Sequence, residues 1–366
     1  MDLRKLRNNF LIPITLLLFL TIGYLVIAIT NGGQVRAIVS QEPIYDNYTT
    51  DMMGYLKTYY LIKKDMPFYQ AYALGEIGDA AGDSYPGEIW GWKTPFLFYL
   101  WKIFPGKDGK SIYWFFTCLV LLVPLTSYLI AKELVGQKLA CLSSFLVWPY
   151  FLLPLKEITF IQVEWWALIF FLLGFYFLLK EKVLWTTLFF SFTLFARELF
   201  AVHLLSLFIV LLITKKRKMI ISILLPFLFI SLFYLFVHMP NVDQYEDLSI
   251  LSHWWRISPK AINIFSSWKY VRTTLAFNSH NYLLVSLFPF RVSLIFSSLA
   301  LFFLNSKRKS AKYLLFLASF LPFFIFQFKP GMMTIYHDYW GIYYVPLTLI
   351  SLPAAVYALL VYFKLK

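Results

Sequence analysis

Long apolar runs separated by short polar turns make up most of this chain. About 20 apolar residues are needed to cross a hydrocarbon core of about 30 Å in helical form. The pattern therefore predicts an all-α integral membrane protein with about ten transmembrane helices. They are expected near residues 10–30, 111–131, 139–155, 161–179, 183–197, 199–214, 219–238, 282–304, 313–328 and 342–363.

Composition supports the same fold class. Of the 366 residues, 60% are hydrophobic and only 14% are charged, whereas a soluble domain is about half apolar and a quarter charged. The richness in Phe, Tyr and Trp also excludes a disordered chain. Only two cysteines are present, both within apolar runs, so a disulfide scaffold is excluded as well.

The basic residues indicate how the chain is oriented in the membrane. The two termini and alternate turns hold seventeen Lys and Arg against three acidic residues, which accounts for the whole formal net charge of +14. Because cytoplasmic turns collect Lys and Arg, both termini are expected in the cytoplasm, most simply of a prokaryotic cell membrane. Spread over short turns, this charge favours membrane lipid headgroups as partners and argues against nucleic acid.

The remaining polar residues fall mainly in two loops predicted on the outer face. We treat residues 1–366 as a single polytopic domain with a first outer loop at 31–110 and a second at 239–281. Within the first loop, residues 52–64 and 94–104 are short amphipathic or aromatic stretches typical of helices lying along the membrane surface. Any chemistry is expected on this face.

A candidate catalytic carboxylate follows the first apolar run. Asp51 stands four residues before Tyr55, at the expected start of a short helix. A carboxylate there is favoured by the helix dipole, so a simple capping role is an alternative to catalysis. Asp46 is a second candidate for the same catalytic role.

Several short motifs, in order along the chain, resemble the polytopic GT-C glycosyltransferases. The closest similarity is to the mannosyltransferases that use polyprenyl-phosphomannose. The similar segments are Asp51 with Tyr55, the Asp-Met-Pro-Phe turn at 65–68, Tyr-Pro at 85–86, Gln162 and Glu164 at the opening of a span, Arg197 between two short helices, and the segment 329–340 before the last span. Ile161 and Glu164 depart from the Gly and Asn of the family motif, which weakens the assignment of mannose as the sugar.

The resemblance implies a reaction as well as a fold. Such an enzyme moves a sugar from a polyprenyl-phosphate donor to a hydroxyl of a glycan, glycolipid or protein acceptor on the outer face. Inversion at the sugar is expected, because no second carboxylate is placed to act as a nucleophile. The alternatives are a polymerase or ligase of the Wzy or O-antigen-ligase type and a lipid or sugar transporter.

Roles for individual residues follow from the needs of that chemistry. Asp51, or Asp46, would act as the general base, and cations would hold the phosphate leaving group. Arg197 is the leading cation, because an ionisable residue between apolar helices is a functional candidate, although a local pair with Glu198 is the alternative. The other expected substrate-binding residues are Tyr55, Gln162, Glu164, Arg256, Lys329 and His337.

No cofactor or metal ligand set is predicted. Asp46, Asp51 and Glu164 are oxygen donors of the kind that bind a divalent metal, which leaves metal dependence as an alternative, but no pair has diagnostic spacing. Nucleotide-binding Gly-rich loops and the Gly-x-Ser-x-Gly motif of esterases do not occur in the sequence.

Overall fold

The computed structural model describes residues 18, 20–30, 32, 51–76, 91–106, 109–155, 158–245, 287–322 and 338–363; the side chains of Asp51, Leu153, residues 287–292 and residues 338–340 lie outside this description. These ranges are helical, with no strand among them. The helices are α1 (Leu20–Thr30), α2 (Asp51–Lys63), α3 (Phe68–Glu76), α4 (Phe96–Ile103), α5 (Lys110–Val135), α6 (Gln137–Val147), α7 (Val163–Leu179), α8 (Val183–Ala196), α9 (Ala201–Ile213), α10 (Arg217–Val242), α11 (Leu287–Arg308), α12 (Ala311–Ala318) and α13 (Val345–Tyr362).

Three of these helices, α5, α10 and α13, are long and apolar enough to cross a membrane. The helices α1, α7, α8 and α9 are apolar but shorter in the part of the chain described. Large hydrophobic side chains on several helices face outward; Leu184, Phe236 and Phe302 are each more than two thirds exposed. In water such surfaces are unfavourable, whereas lipid accepts them, so the prediction of an all-α membrane protein is supported.

Hydroxyl groups join neighbouring helices in the apolar interior. In α6, Ser143 donates to the carbonyl of Ile350 in α13 at 2.8 Å, and Ser144 donates to the carbonyl of Pro124 in α5 at 2.7 Å. The Tyr113 hydroxyl of α5 donates to the carbonyl of Ala28 in α1 at 2.7 Å. Hydrogen bonds between helices add to van der Waals packing where lipid supplies no competing water.

At two helix pairs the helices lie so close together that a glycine is needed at the contact. A Cβ placed on Gly174 of α7 would lie 2.5 Å from the Phe190 ring of α8. On Gly75 of α3 it would lie 2.1 Å from the Thr58 hydroxyl and 2.9 Å from the Gly54 carbonyl, both in α2. The α2–α3 hairpin therefore packs more tightly than any larger residue at position 75 would permit.

The bundle has two chemically different ends. Helix α7 runs about 25 Å from Glu164 in its first turn to the turn at Lys180. One end, which we call the loop end, carries α2, α3 and α4. The other, the basic end, carries the turns at 136, 180–182, 214–216 and 309–310, where Glu133 pairs with both Lys180 and Lys312 at 2.5 Å.

Candidate functional site

The chain breaks between α8 and α9 at the loop end, and Arg197 lies at the break. Helix α8 ends at Ala196, Arg197 is extended with φ −155° and ψ 107°, and a short 3-10 turn from Glu198 to Phe200 leads into α9. The extended residue directs a charged side chain into the packed interior, since Arg197 is only 7% exposed.

Two carboxylates compensate the charge of Arg197. Its Nε lies 2.8 Å from Oε1 of Glu164, in the first turn of α7, and its Nη1 donates to Oε1 of Glu198 at 2.8 Å. The side chains of Arg197 and Glu164 are 8% and 4% exposed. Desolvating such charges is costly, and the two ion pairs lower that cost; Nη1 also forms a hydrogen bond with Glu198, whereas the Nε contact with Glu164 is an ion pair without hydrogen-bond geometry.

Aromatic residues from the first loop and from the start of α13 surround this ion-pair group. The guanidinium lies within electrostatic range of the phenols of Tyr343 and Tyr55. Tyr55 is 2% exposed and packs edge-on against Phe98 of α4, with ring centroids 6.0 Å apart. Tyr343 packs on Phe200, with centroids 4.9 Å apart. Helix α2, the ends of α7 and α8 and the turn before α13 therefore come together near Arg197.

A second buried cation lies near the ion-pair group. Lys93 is 6% exposed, its Nζ donates to the Gly91 carbonyl at 3.4 Å, and it lies within electrostatic range of His238. The adjacent Thr94 donates to the carbonyl of Phe195, which fastens the start of α4 to α8. We did not single out Lys93 from the sequence, because a lysine beside Trp92 and Pro95 has the same local pattern as a solvated loop cation.

A tyrosine–histidine contact links α3 to α10 beside the ion-pair group. The Tyr69 hydroxyl of α3 lies 3.1 Å from Nδ1 of His238, and the imidazole lies within electrostatic range of Glu198. Burial raises the pKa of the Tyr69 phenol above its ordinary value. The phenol therefore stays protonated at neutral pH and forms a hydrogen bond with the imidazole Nδ1.

We use the name junction cluster for Arg197, Glu164, Glu198, Lys93 and His238. With neutral imidazole, its two cations and two carboxylates give no net charge. Arg197 and Glu198 are adjacent at the break after α8, and the other members come from α7, α10 and the segment before α4, so the tertiary fold assembles the cluster. Such a buried, polar and aromatic-lined group at one end of an apolar bundle is where ligand chemistry is expected first.

The structure brings together Arg197, Glu164 and Tyr55 from the set predicted by sequence. Gln162 immediately precedes α7 and is half-buried, with its carbonyl accepting from the Trp165 amide at 3.2 Å. Asp51 is the first residue of α2, one turn before Tyr55. The remaining predicted residues, Asp46, Arg256, Lys329 and His337, lie outside the described residues.

Within the residues described, no group of three or more His, Cys, Asp or Glu side chains is arranged to hold a metal ion. Comparison of the sequence with models of protein families and with curated proteins found no match. The geometry of the junction cluster and the motifs of the sequence are therefore the basis for a functional proposal.

Proposed function

We propose that this protein is a membrane glycosyltransferase of the GT-C type, which moves a sugar from a polyprenyl-phosphate donor to an acceptor hydroxyl. In this proposal about ten helices span the membrane, both termini are cytoplasmic, and the loop end faces the outside. The charge asymmetry supports that orientation, because the turns of the basic end hold the Lys and Arg that favour the cytoplasm.

The observation that carries the proposal is the position of Tyr55, in α2, within electrostatic range of the junction cluster. Tyr55 lies within electrostatic range of the Arg197 guanidinium, and Asp51 precedes Tyr55 by one helical turn, about 6 Å along the axis. The proposed base and the proposed phosphate-binding cation are 146 positions apart in sequence, but α2, which begins with the base, and α8, which ends just before the cation, both pack against α4.

The proposed reaction needs one proton acceptor. The Asp51 carboxylate takes the proton of the acceptor hydroxyl as that oxygen attacks the anomeric carbon. The bond from that carbon to the phosphate oxygen breaks, and its electron pair leaves with the polyprenyl phosphate. Direct attack of this kind inverts the anomeric carbon. Asp46 is the alternative base.

Cations are needed to stabilise the phosphate that leaves. Arg197 and Lys93 are proposed for this role; both are largely withdrawn from water, where their effect on a developing anion is greater than on the surface. Glu164 and Glu198 hold the guanidinium in place and offset its charge before the donor binds. Gln162 is retained as a candidate contact to substrate.

The test is an assay of sugar transfer with Asp51→Asn and a matched control. Purified protein in nanodiscs is incubated with labelled polyprenyl-phosphate sugars and membrane extract, and release of polyprenyl phosphate is measured. Asp65→Asn is the control, because Asp65 is an exposed carboxylate after the same helix, paired with Lys102 at 2.9 Å. We expect Asp51→Asn to abolish release and Asp65→Asn to leave it unchanged.

The outcomes separate the proposal from its alternatives. Release by Asp51→Asn at the wild-type rate would exclude Asp51 as the base and move the role to Asp46. If the folded wild-type protein releases polyprenyl phosphate from no donor, the proposed reaction is wrong; pyrophosphate-linked donors would then be tried, followed by polymerase and transport assays.

A further inference from the structure

A cleft at the basic end has no part in the proposed transfer reaction. It has a volume of about 720 Å³ and lies between the end of α7, the α9–α10 turn and the α11–α12 turn. Its walls include Leu178, Leu179, Leu211, Leu314 and Leu315. An apolar interior that opens among polar turns is suited to an amphiphilic molecule.

Basic residues surround this cleft in excess over acidic ones. Lys216, Arg308, Lys309 and Lys312 line it, together with the single carboxylate of Glu181. Glu181 pairs with Lys216 at 2.7 Å, and Lys312 pairs with Glu133 at 2.5 Å. After both pairs are counted, Arg308 and Lys309 remain as uncompensated charges.

The surroundings of these two cations leave them accessible. Arg308 donates to the hydroxyl of Tyr357 and lies 5.0 Å from the centre of its ring, which restricts the guanidinium without neutralising it. Lys309 is exposed, and within the ranges described it forms no ion pair. The charges of Arg308 and Lys309 are therefore accessible to an anion that binds in the cleft.

Two lysines at the basic end have strained backbone conformations. Lys309 has φ 48° and Lys215 has φ 56°, in the left-handed region where glycine is favoured. A non-glycine residue there costs about 1 kcal/mol or more.

We propose that this cleft binds the phosphate-bearing headgroup of an anionic membrane lipid. The phosphate lies between Arg308 and Lys309, and the acyl chains extend over the neighbouring helices. Exposed apolar side chains continue outward from the cleft on α9 and α11, with Ile213 69% and Phe302 68% exposed. Free phosphate would use the cations but not this apolar path, and the combination therefore favours a lipid.

Asn305 adds a neutral polar group to the same cleft. Its Oδ1 atom is buried and accepts no hydrogen bond within the described part of the chain. A buried amide oxygen without a donor is unfavourable. A headgroup that carries hydroxyls as well as phosphate satisfies it, which favours phosphatidylglycerol among the anionic lipids.

The test compares lipids and one variant in detergent. Purified protein is titrated with phosphatidylglycerol or phosphatidylcholine, and retained lipid is measured by native mass spectrometry. Lys309→Asn removes the charge and keeps a residue that tolerates the left-handed backbone. Because a basic residue near an anionic lipid contributes about fivefold in affinity, we expect about fivefold weaker retention of phosphatidylglycerol.

Lys138→Asn is the matched control, since Lys138 is an exposed lysine at the same end but outside the cleft. Lys138→Asn should change the affinity neither for phosphatidylglycerol nor for phosphatidylcholine. The unfolding temperature of Lys309→Asn without lipid should not fall. Equal retention of the two lipids, or an equal effect of the two variants, would overturn the proposal. Displacement of phosphatidylglycerol by millimolar inorganic phosphate would also overturn it, because the site would then be one for free phosphate.

Discussion

Removal of the Arg197 charge is expected to destabilise the protein strongly. In Arg197→Gln, Glu164 and Glu198 lose the cation that lies 2.8 Å from each of them, and Glu164 is almost completely buried. Breaking a buried ion pair by removing one partner costs about 3–5 kcal/mol, because the remaining charge is left uncompensated. With two carboxylates on one cation, we expect the upper half of that range.

The matched control is an ion pair at the other end of the same bundle. Lys216 and Glu181 lie 2.7 Å apart, but their side chains are 42% and 58% exposed. Water already stabilises both charges, so Lys216→Gln should cost no more than about 1 kcal/mol. The two ion pairs have similar distances, and the two substitutions remove the same charge. The pairs differ in how deeply they are buried.

The assay is thermal unfolding in one detergent, followed by tryptophan fluorescence. At roughly 2 °C per kcal/mol for a chain of this size, Arg197→Gln should lower the midpoint by about 8–10 °C and Lys216→Gln by about 2 °C or less. Replacing all three residues, as in Arg197→Met with Glu164→Gln and Glu198→Gln, should recover most of the loss. Equal small shifts for the two single variants would refute the buried ion-pair group.

Three further predictions concern other parts of the fold. Gly75→Ala should destabilise the α2–α3 hairpin by about 2 kcal/mol, because its Cβ would meet Thr58 and Gly54, whereas Gly23→Ala in α1, with nothing within 4 Å, should be neutral or stabilising in the same unfolding assay. Ser143→Ala should cost about 0.6 kcal/mol by losing its bond to Ile350, and a loss above 2 kcal/mol would contradict that estimate. Because burial raises the pKa of Tyr69, its contribution to stability is complete below pH 10 and is lost as pH rises through the folded pKa. Tyr69→Phe should therefore lose less stability than wild type between pH 9 and 11. An identical alkaline profile for the two proteins would contradict this prediction.

Much of the helical architecture is predictable from sequence because apolar length determines it. The helices α5, α7, α8 and α10 lie where apolar runs lie, and the break at Arg197 follows from a charged residue between two such runs. The positions of the apolar runs therefore predict which of these segments are helical. That about ten helices span a membrane stays a prediction, since three are long and apolar enough in the part described.

The junction cluster was only partly predictable, for a different physical reason. Burial of an ionisable residue depends on which other elements pack over it, and Lys93 has no local pattern that distinguishes it from a solvated residue. Arg197 was recognisable because both of its flanks are apolar. Its pairing with Glu164 requires α7 and α8 to be antiparallel, and its position near Tyr55 requires the first loop to fold back over them.

The two ends of the bundle differ in how their charges are compensated, and this separates the two proposals experimentally. At the loop end the cations are buried and balanced by carboxylates, so a substitution there affects folding and ligand binding together. At the basic end Lys309 is exposed and forms no ion pair within the residues described, so its replacement is expected to leave the packing intact. Weaker retention of phosphatidylglycerol by Lys309→Asn would therefore reflect lipid binding alone, whereas Arg197 variants need the unfolding measurement before any loss of transfer is assigned to chemistry.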